Sequence, residues 1–465
     1  MILFRHNSRL LEFRRPYGAI AAGETVAVSA EIGGDEPAEA LLRLWLPSGE
    51  ALIPMAREGE RLLARFDAPK EPCLLWYYFI LRQSDGRTLY YGAESGEGAF
   101  YGHEPPAWQV TVYEPGFTTP AWLREGLAYQ IFPDRFRRSS WEDFHARARY
   151  HTGLGRFLRL HDRWSEPVCD GPSPGQSDYM PDDFFGGDLN GIREKLPYLA
   201  SLGVRLIYLN PVFESASNHR YDTADYLRID PILGSEEDFR ALAAEARALG
   251  IRVMLDGVFS HTGADSRYFD KFSRYEELGA FESPDSPCAG WYSFSDYPGT
   301  YACWWNFPAL PNVDELHPGY RDFILGENGV LAHWAAAGAT SWRLDVADEL
   351  PDAFIRALRR RVKQLDPEAA LIGEVWEDCS TKAGPEGWRG YVGGGSLDGA
   401  MNYPFADALI AFLCGKTGAH AFCDFLETQR ERYPKPFYEA CLNLVGSHDV
   451  VRAAPALSGA PPRPP

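Results

Sequence analysis

No run in this chain approaches 18 consecutive apolar residues, so nothing in it reads as a membrane-spanning helix. Positive charge is scarce: Lys and Arg number 46 against 65 Asp and Glu, for a net charge of -19. A surface of that sign repels phosphate backbones and anionic headgroups, which argues against nucleic acid or membrane as partners and suits neutral substrates. Paired cysteine spacing is missing too. The eight cysteines, Cys73, Cys169, Cys288, Cys303, Cys379, Cys414, Cys423 and Cys441, are scattered without CxxC spacing and read as free thiols of a reducing compartment. With no HxH or HExxH either, a zinc site is not expected. The opening "MILFRHNSRLLEFRRPYG" has arginines every few positions and no apolar stretch of signal-peptide length, so the expected location is cytoplasmic.

What is present divides in two. Up to about residue 115 the chain runs in short apolar segments, "TVAVSAEI", "EALLRLWLP", "RLLARFD", "LLWYYFILR", "TLYYGA" and "WQVTVY", cut by Gly, Pro and Asp. That is strand and turn chemistry, and residues 1–118 are expected to form a β-sandwich. From Leu127 onward, near-continuous apolar runs alternate with amphipathic helical segments such as "SEEDFRALAAEARALG" and "DAFIRALRRRVKQL". The runs fall at 127–133, 204–211, 251–258, 341–347, 370–376, 399–405 and 442–449. Strands buried on both faces and separated by helices mean a parallel sheet, and seven of them predict a (β/α)8 TIM barrel. Residues 119–258 would be its first part, 259–318 a long excursion after the third strand, and 319–465 its second part. Connections that long usually carry function; 134–185 and 259–318 would wall the barrel mouth.

Polar residues gather where these runs end. The third ends with Asp256 and His261, the fourth with Arg343 and Asp345, the fifth with Glu374, and the seventh with His448 and Asp449. In a parallel barrel those ends share one face. Asp345, Glu374 and Asp449 would then converge, and close carboxylates repel, so at least one should hold a proton as a general acid must. Each alone could equally be a helix N-cap or a salt-bridge partner. Arg343, two residues before Asp345, points to the same side of its strand and is expected to lower that carboxyl's pKa. Metal ligation or core packing is the competing reading of the two histidines.

The stretches "GLAYQIFPDRF", "GGDLNGI", "LNPVFESASNHRYDTADY", "LDGVFSH", "WRLDVADE", "IGEVWED" and "NLVGSHD" resemble the alpha-amylase family of glycoside hydrolases, in particular its neopullulanase, cyclomaltodextrinase and maltogenic amylase branch. The resemblance spans residues 127 to about 452. It implies hydrolysis of α-1,4 bonds in neutral α-glucans (cyclodextrins, pullulan or maltodextrins), with Asp345 as nucleophile, Glu374 as acid/base and Asp449 as the third, stabilising carboxylate. It also implies sugar contacts from His261, His448 and Arg343, stacking on Tyr221, and supporting roles for Asp222 and Asp256, with Asn218 and His219 organising a loop. Trp291, Trp304, Trp305 and Trp376 are candidates for stacking on the aglycone side, and Asp348 and Glu349 for lining it. A starch-binding-like N-terminal module and a homodimer are further implications. Two other readings carry over: an α-glucanotransferase, in which a sugar hydroxyl replaces water, and a truncated, non-catalytic glucan-binding protein.

The chain departs from that pattern in four places. Ser260 stands where many relatives carry a calcium-ligating asparagine, and the segment after the first strand, "FRRSSWEDFHARARY", is basic and aromatic where a calcium loop would be acidic; only Gly187 and Asp188 resemble its ligands. No cofactor is required for the chemistry and no tightly bound calcium is expected. Asp348 and Glu349 replace an Asn-Glu or related pair. After "GSHDVVRAAP" the sequence reads "ALSGAPPRPP", which is turn-like, so the barrel is expected to be truncated after its seventh strand.

Overall fold

The computed structural model describes residues 2–169, 171 and 181–458. The chain divides into two compact units, one formed by Met1–Thr119 with Val375–Pro465 and the other by Pro120–Glu374. The stretch 319–465, read from sequence as a single second part of the barrel, is therefore cut between Glu374 and Val375.

The first unit carries two sheets, antiparallel except where 108–113 pairs parallel with 20–21. In one, the strands run in the order 2–5, 25–34, 61–67, 56–58, with 14–15 also on 25–34. In the other, the order is 97–101, 88–94, 73–82, 108–113, 20–21, with 39–46 pairing 73–82 and 49–54. Alternation explains the layering. Val26, Val28 and Ala30 of one sheet and Leu75, Tyr77, Phe79 and Leu81 of the other belong to one buried apolar cluster, while the residues between them point away. The helix Ala419–Arg432 is tied to this part by ion pairs: Arg9 to Asp424 at 2.7 Å, and the fully buried Arg14 to Glu431 at 3.2 Å. These pairs give a physical reason for residues 375–465 grouping with the N-terminal sheets.

The second unit holds a parallel sheet of five strands in sequence order: β1 (Leu127–Ile131), β2 (Val204–Leu209), β3 (Arg252–Gly257), β4 (Ser341–Leu344) and β5 (Leu371–Val375). Residues of β4 and β5 are buried throughout, as a sheet covered on both faces requires. The connecting helices show why they form. Glu236–Ala248 starts on a capping box between Ser235 and Asp238. Asp352–Leu365 buries Phe354, Ile355, Leu358 and Val362 at helical spacing and leaves its basic residues outside. Because each strand pairs with the next in sequence, all five C-terminal ends lie along one edge.

Several expectations are corrected. The run 399–405 supplies a strand only over Gly399–Asn402. Residues 442–449 form no strand: Leu442 makes one bridge to Met401, Asn443 bonds the Asn402 side chain, and Val445 is exposed where a barrel strand would bury it. The connection 134–185 contains a helix, Trp141–Gly153, started by Ser140 accepting from the Asp143 N–H. Of the stretch 456–465, expected to be turn-like, residues 456–458 belong to the helix Ala453–Ser458, and residues 459–465 lie outside the described set. Among the described residues no helix is long and apolar enough to cross a membrane.

Candidate active site

The side chains at the ends of β3, β4 and β5 meet around one guanidinium. Arg343, fully buried, donates from Nη1 to Asp256 Oδ1 at 2.7 Å and to Asp345 Oδ1 at 2.8 Å; its Nη2 lies 2.9 Å from Glu374 Oε2. All three carboxylates are buried. One cation facing three anions leaves negative charge uncompensated, so a buried cluster of this kind holds a proton at neutral pH. Arg343 does pull the Asp345 pKa down as expected, but the net direction is the opposite. Burial first, and the charges of Glu374 and Asp256 besides, push that carboxyl well above the usual range against the pull of Arg343. The guanidinium is shared, not private to the nucleophile candidate.

Glu374 is further fixed by the residue after Asp345. Val346 sits at φ 37°, in the left-handed region that β-branched residues avoid, and this turns its N–H onto Glu374 Oε2 at 2.8 Å. Oε2 thus takes the Val346 hydrogen bond and the Arg343 ion pair, and Oε1 is the oxygen we assign to proton transfer. Asp256 is held by hydroxyls that the sequence reading passed over in one case and assigned to stacking in the other. Tyr208 donates to its Oδ2 at 2.5 Å and Tyr221 at 2.9 Å. Gln130 and Asn210 extend the chain of hydrogen bonds to Tyr221. A signal for Tyr208 existed: in "LIYLN" it points to the same side as Asn210, two residues on.

His261 lies against the same residues. Its Nε2 donates to the Tyr221 carbonyl at 3.1 Å and its Nδ1 contacts Ser260 Oγ at 2.9 Å, so donation to a sugar requires giving up a protein partner. Burial holds its pKa down at about 4, and the ring stays neutral. Asp222 supports the neighbouring loop, accepting from Ser215 at 2.5 Å and from Ser217. His219 receives the Tyr221 N–H at 3.0 Å and Asn218 donates to the Asp183 carbonyl at 2.8 Å, both organising the turn before Tyr221.

The tryptophans separate by burial. Trp291 packs on Tyr320 and Phe323 in the core and is removed from the stacking candidates. Trp304 and Trp305 stack with ring centroids 5.3 Å apart, Trp305 is 71% exposed, and its indole N–H donates to Glu349 Oε1 at 2.8 Å. Glu349 and Asp348 lie in the turn 347–349 that follows the nucleophile candidate. In the other unit, Trp376 lies face to face with Tyr403 at 3.9 Å, the Tyr403 hydroxyl reaches Asp449 at 3.3 Å, and His448 contacts Asp449 at 3.3 Å.

Residues 130–460 match the family described as alpha amylase, catalytic domain. The chain belongs to the alpha-amylase family. Among its relatives, an amylopullulanase of Thermoanaerobacterium saccharolyticum is 34% identical over 96% of this chain and 38% of its own length. Neopullulanase 2 of Thermoactinomyces vulgaris is 33% identical over 82% of this chain and 60% of its own. The type III pullulan hydrolase from Thermococcus kodakarensis superposes with a TM-score of 0.60 at 28% identity, covering 98% of this chain and 75% of that one. This member of the family spans less than two thirds of the length of those two curated relatives. The branch read from the seven motifs holds at the level of these relatives.

The calcium that the family resemblance raises does not fit the residues this member offers. Asp188 caps the helix Leu189–Glu194, accepting from the Gly191 N–H at 2.6 Å and the Ser139 hydroxyl at 2.7 Å, with Arg147 at 3.5 Å. A Cβ added at Gly187 would lie 2.0 Å from the Pro133 carbonyl oxygen, so this glycine serves a close backbone approach. Ser260 is committed to His261. Among the described residues no group of three or more His, Cys, Asp or Glu side chains is arranged to hold a metal ion.

Proposed function

We propose that this chain is a retaining α-glucan hydrolase that cleaves α-1,4 bonds of cyclodextrins, pullulan or maltodextrins by double displacement. The observation that carries the reading is the Arg343 guanidinium bonded at once to Asp345 on β4 and Glu374 on β5, two carboxyls from adjacent strand ends. In the same reading the strands belong to a (β/α)8 barrel that follows a β-sandwich module in the chain, and Asp449 is the third carboxylate; the family likeness supports this.

In this reading the one proton of the cluster resides on Glu374 Oε1 and Asp345, bonded to Arg343 Nη1, is the ionised partner. Glu374 protonates the glycosidic oxygen from Oε1 while an oxygen of Asp345 attacks the anomeric carbon. The carbon–oxygen bond to the leaving sugar breaks, and a covalent glycosyl-enzyme forms with inverted configuration. Glu374, now ionised, takes a proton from water, the water oxygen displaces Asp345, and the second inversion restores the starting configuration. Arg343 holds both carboxyls in place through the cycle. Asp449 accepts hydrogen bonds from sugar hydroxyls, contacts that strengthen as the ring approaches an oxocarbenium ion. The exposed indole of Trp305, fixed by Glu349, offers a flat apolar face for the leaving glucan.

Product stereochemistry tests this directly. Proton NMR during the first turnovers of β-cyclodextrin or maltotriose should show the new reducing end as the α-anomer, with the β-anomer growing only by mutarotation. An initial β-anomer, or no new reducing end from folded protein, would overturn the proposal.

A further inference from the structure

A second buried charge cluster lies in the same unit, away from Arg343, and the mechanism makes no use of it. Its centre is Arg156, 5% exposed. Nε donates to Asp265 Oδ2 at 2.6 Å, Nη1 to Glu214 Oε1 at 3.1 Å and to His151 Nδ1 at 3.0 Å, and Nη2 to the Tyr275 hydroxyl at 2.7 Å. Tyr275 passes its own proton on to Glu214 Oε1 at 2.9 Å. Because His151 accepts at Nδ1, its Nε2 carries the hydrogen that meets Asp230 Oδ1 at 3.0 Å, and Asp230 also binds Arg220 at 2.8 Å. Burial works against the Arg156 charge, but Asp265, Tyr275 and Glu214 more than offset it and hold the guanidinium firmly protonated.

These ligands come from places far apart in sequence. His151 ends the helix Trp141–Gly153, Glu214 lies on the short strand Phe213–Ser215, and Asp265 and Tyr275 belong to the excursion after β3. Arg220 immediately precedes Tyr221, which reaches Asp256, and the Gly263 N–H bonds the Thr223 carbonyl at 2.9 Å just after His261. The cluster therefore sits where three loop segments join, two of which deliver Tyr221 and His261 to the site. An oxygen- and nitrogen-lined cage joining loops in this way is where many proteins place a divalent cation. Here Asp265 and Glu214 supply too few oxygens for the six to eight that calcium takes, and the centre is filled by side-chain N–H donors.

We propose that Arg156 is a built-in cation, a positioning residue that joins the helix 141–153, the 213–223 segment and the 261–275 segment as a bound metal would. Its five N–H donors in a fixed plane match carboxylate, imidazole and phenol acceptors at once, a geometry that a lysine cannot reproduce. The wall carrying Tyr221 and His261 is consequently independent of divalent ions. The inference does not depend on the reaction proposed above, because its readouts use no substrate.

The test combines chelation, truncation and chemical rescue. EDTA and added calcium should leave the melting temperature of the unaltered protein unchanged. R156A should lower it by roughly 5 °C, less than a fully orphaned buried charge would cost because Arg274 still faces Asp265 at 2.7 Å and Arg228 still faces Glu214 at 3.3 Å, and should speed amide hydrogen exchange across residues 261–275. Guanidinium chloride at about 50 mM should reverse at least half of both effects by refilling the cage, while urea at equal concentration should not. If R156A does not fold, R156K carries the test and should lose about half as much, since it keeps the charge and loses the fork. A melting temperature and exchange pattern for R156A, or for R156K, matching the unaltered protein would overturn the proposal. So would loss of stability in EDTA restored by calcium, or rescue by urea as effective as by guanidinium.

Discussion

Asp345→Asn should abolish turnover and at the same time stabilise the protein. The catalytic half follows from the mechanism: an amide oxygen cannot form the glycosyl ester, and loss of a nucleophile costs roughly 10⁴-fold or more in kcat. The stability half follows from the cluster. Asp345 is buried with Glu374 and Asp256 around one guanidinium, and its carboxyl is held above its ordinary range. A carboxyl whose folded-state pKa is raised destabilises the fold at every pH above its unfolded value, and the effect fades as pH falls and both states become protonated. Asn keeps an oxygen for Arg343 Nη1 without the charge. We expect a melting temperature higher by roughly 2–4 °C at pH 7, the change that about 1 kcal/mol produces in a unit of this size, shrinking toward zero near pH 4. Calorimetry at several pH values checks the sign. A variant less stable than the parent at pH 7 would show that Asp345 is a structural anion.

Arg343→Met should have the opposite effect on stability and an equally severe one on activity. Methionine replaces the fully buried guanidinium with an apolar chain and leaves Asp256, Asp345 and Glu374 facing one another. Breaking a buried ion pair on one side costs about 3–5 kcal/mol, which lowers the melting temperature by roughly 10 °C. The deficit should be largest at pH 8 and smaller at pH 5. Without the cation the Asp345 carboxyl, already held above its ordinary range, is raised further, so stability is lost as pH climbs above its unfolded value and regained as it protonates. The Arg343→Met/Asp345→Asn double variant should recover clearly more than the roughly 2–4 °C that Asp345→Asn adds to the unaltered protein, because the charge it removes is no longer offset by the guanidinium; a gain equal to the single-variant gain, which is simple additivity, would contradict the shared-guanidinium picture.

What was legible in the sequence follows a physical pattern. β2 to β5 were readable because strands buried on both faces must be apolar nearly throughout, whereas β1 kept the apolar run although Leu127, Ala128 and Tyr129 are exposed; the i, i+2 spacing of Arg343 and Asp345 placed both on one side of β4. The run 442–449 misled because Leu442, Leu444 and Val445 look like a strand, yet Asn443 bonds the Asn402 side chain, Ser447 Oγ accepts from the Asp449 N–H, and a single bridge, Leu442 to Met401, is formed among the described residues. The reach of Arg343 to Glu374 was hidden, since that contact depends on which strands are neighbours. So was the direction of the Asp345 shift, which burial decides more than the nearest charge. No one-dimensional signal separates the core indole Trp291 from the exposed Trp305. The Arg156 cluster, with ligands drawn from residues 151 to 275, has no local spacing to read at all.

The central claim is that Asp345 forms a covalent bond to the sugar, and a mechanism-based label tests it most directly. An activated fluorinated α-glucosyl fluoride, whose electron-poor ring slows departure of the sugar from the enzyme, should accumulate as an ester. Proteolysis and mass spectrometry should find one added fluoroglucosyl group on the peptide containing Arg343 to Glu349, with fragmentation placing it on Asp345. A label on another carboxyl, or none from folded protein that releases reducing sugar, would contradict the assignment.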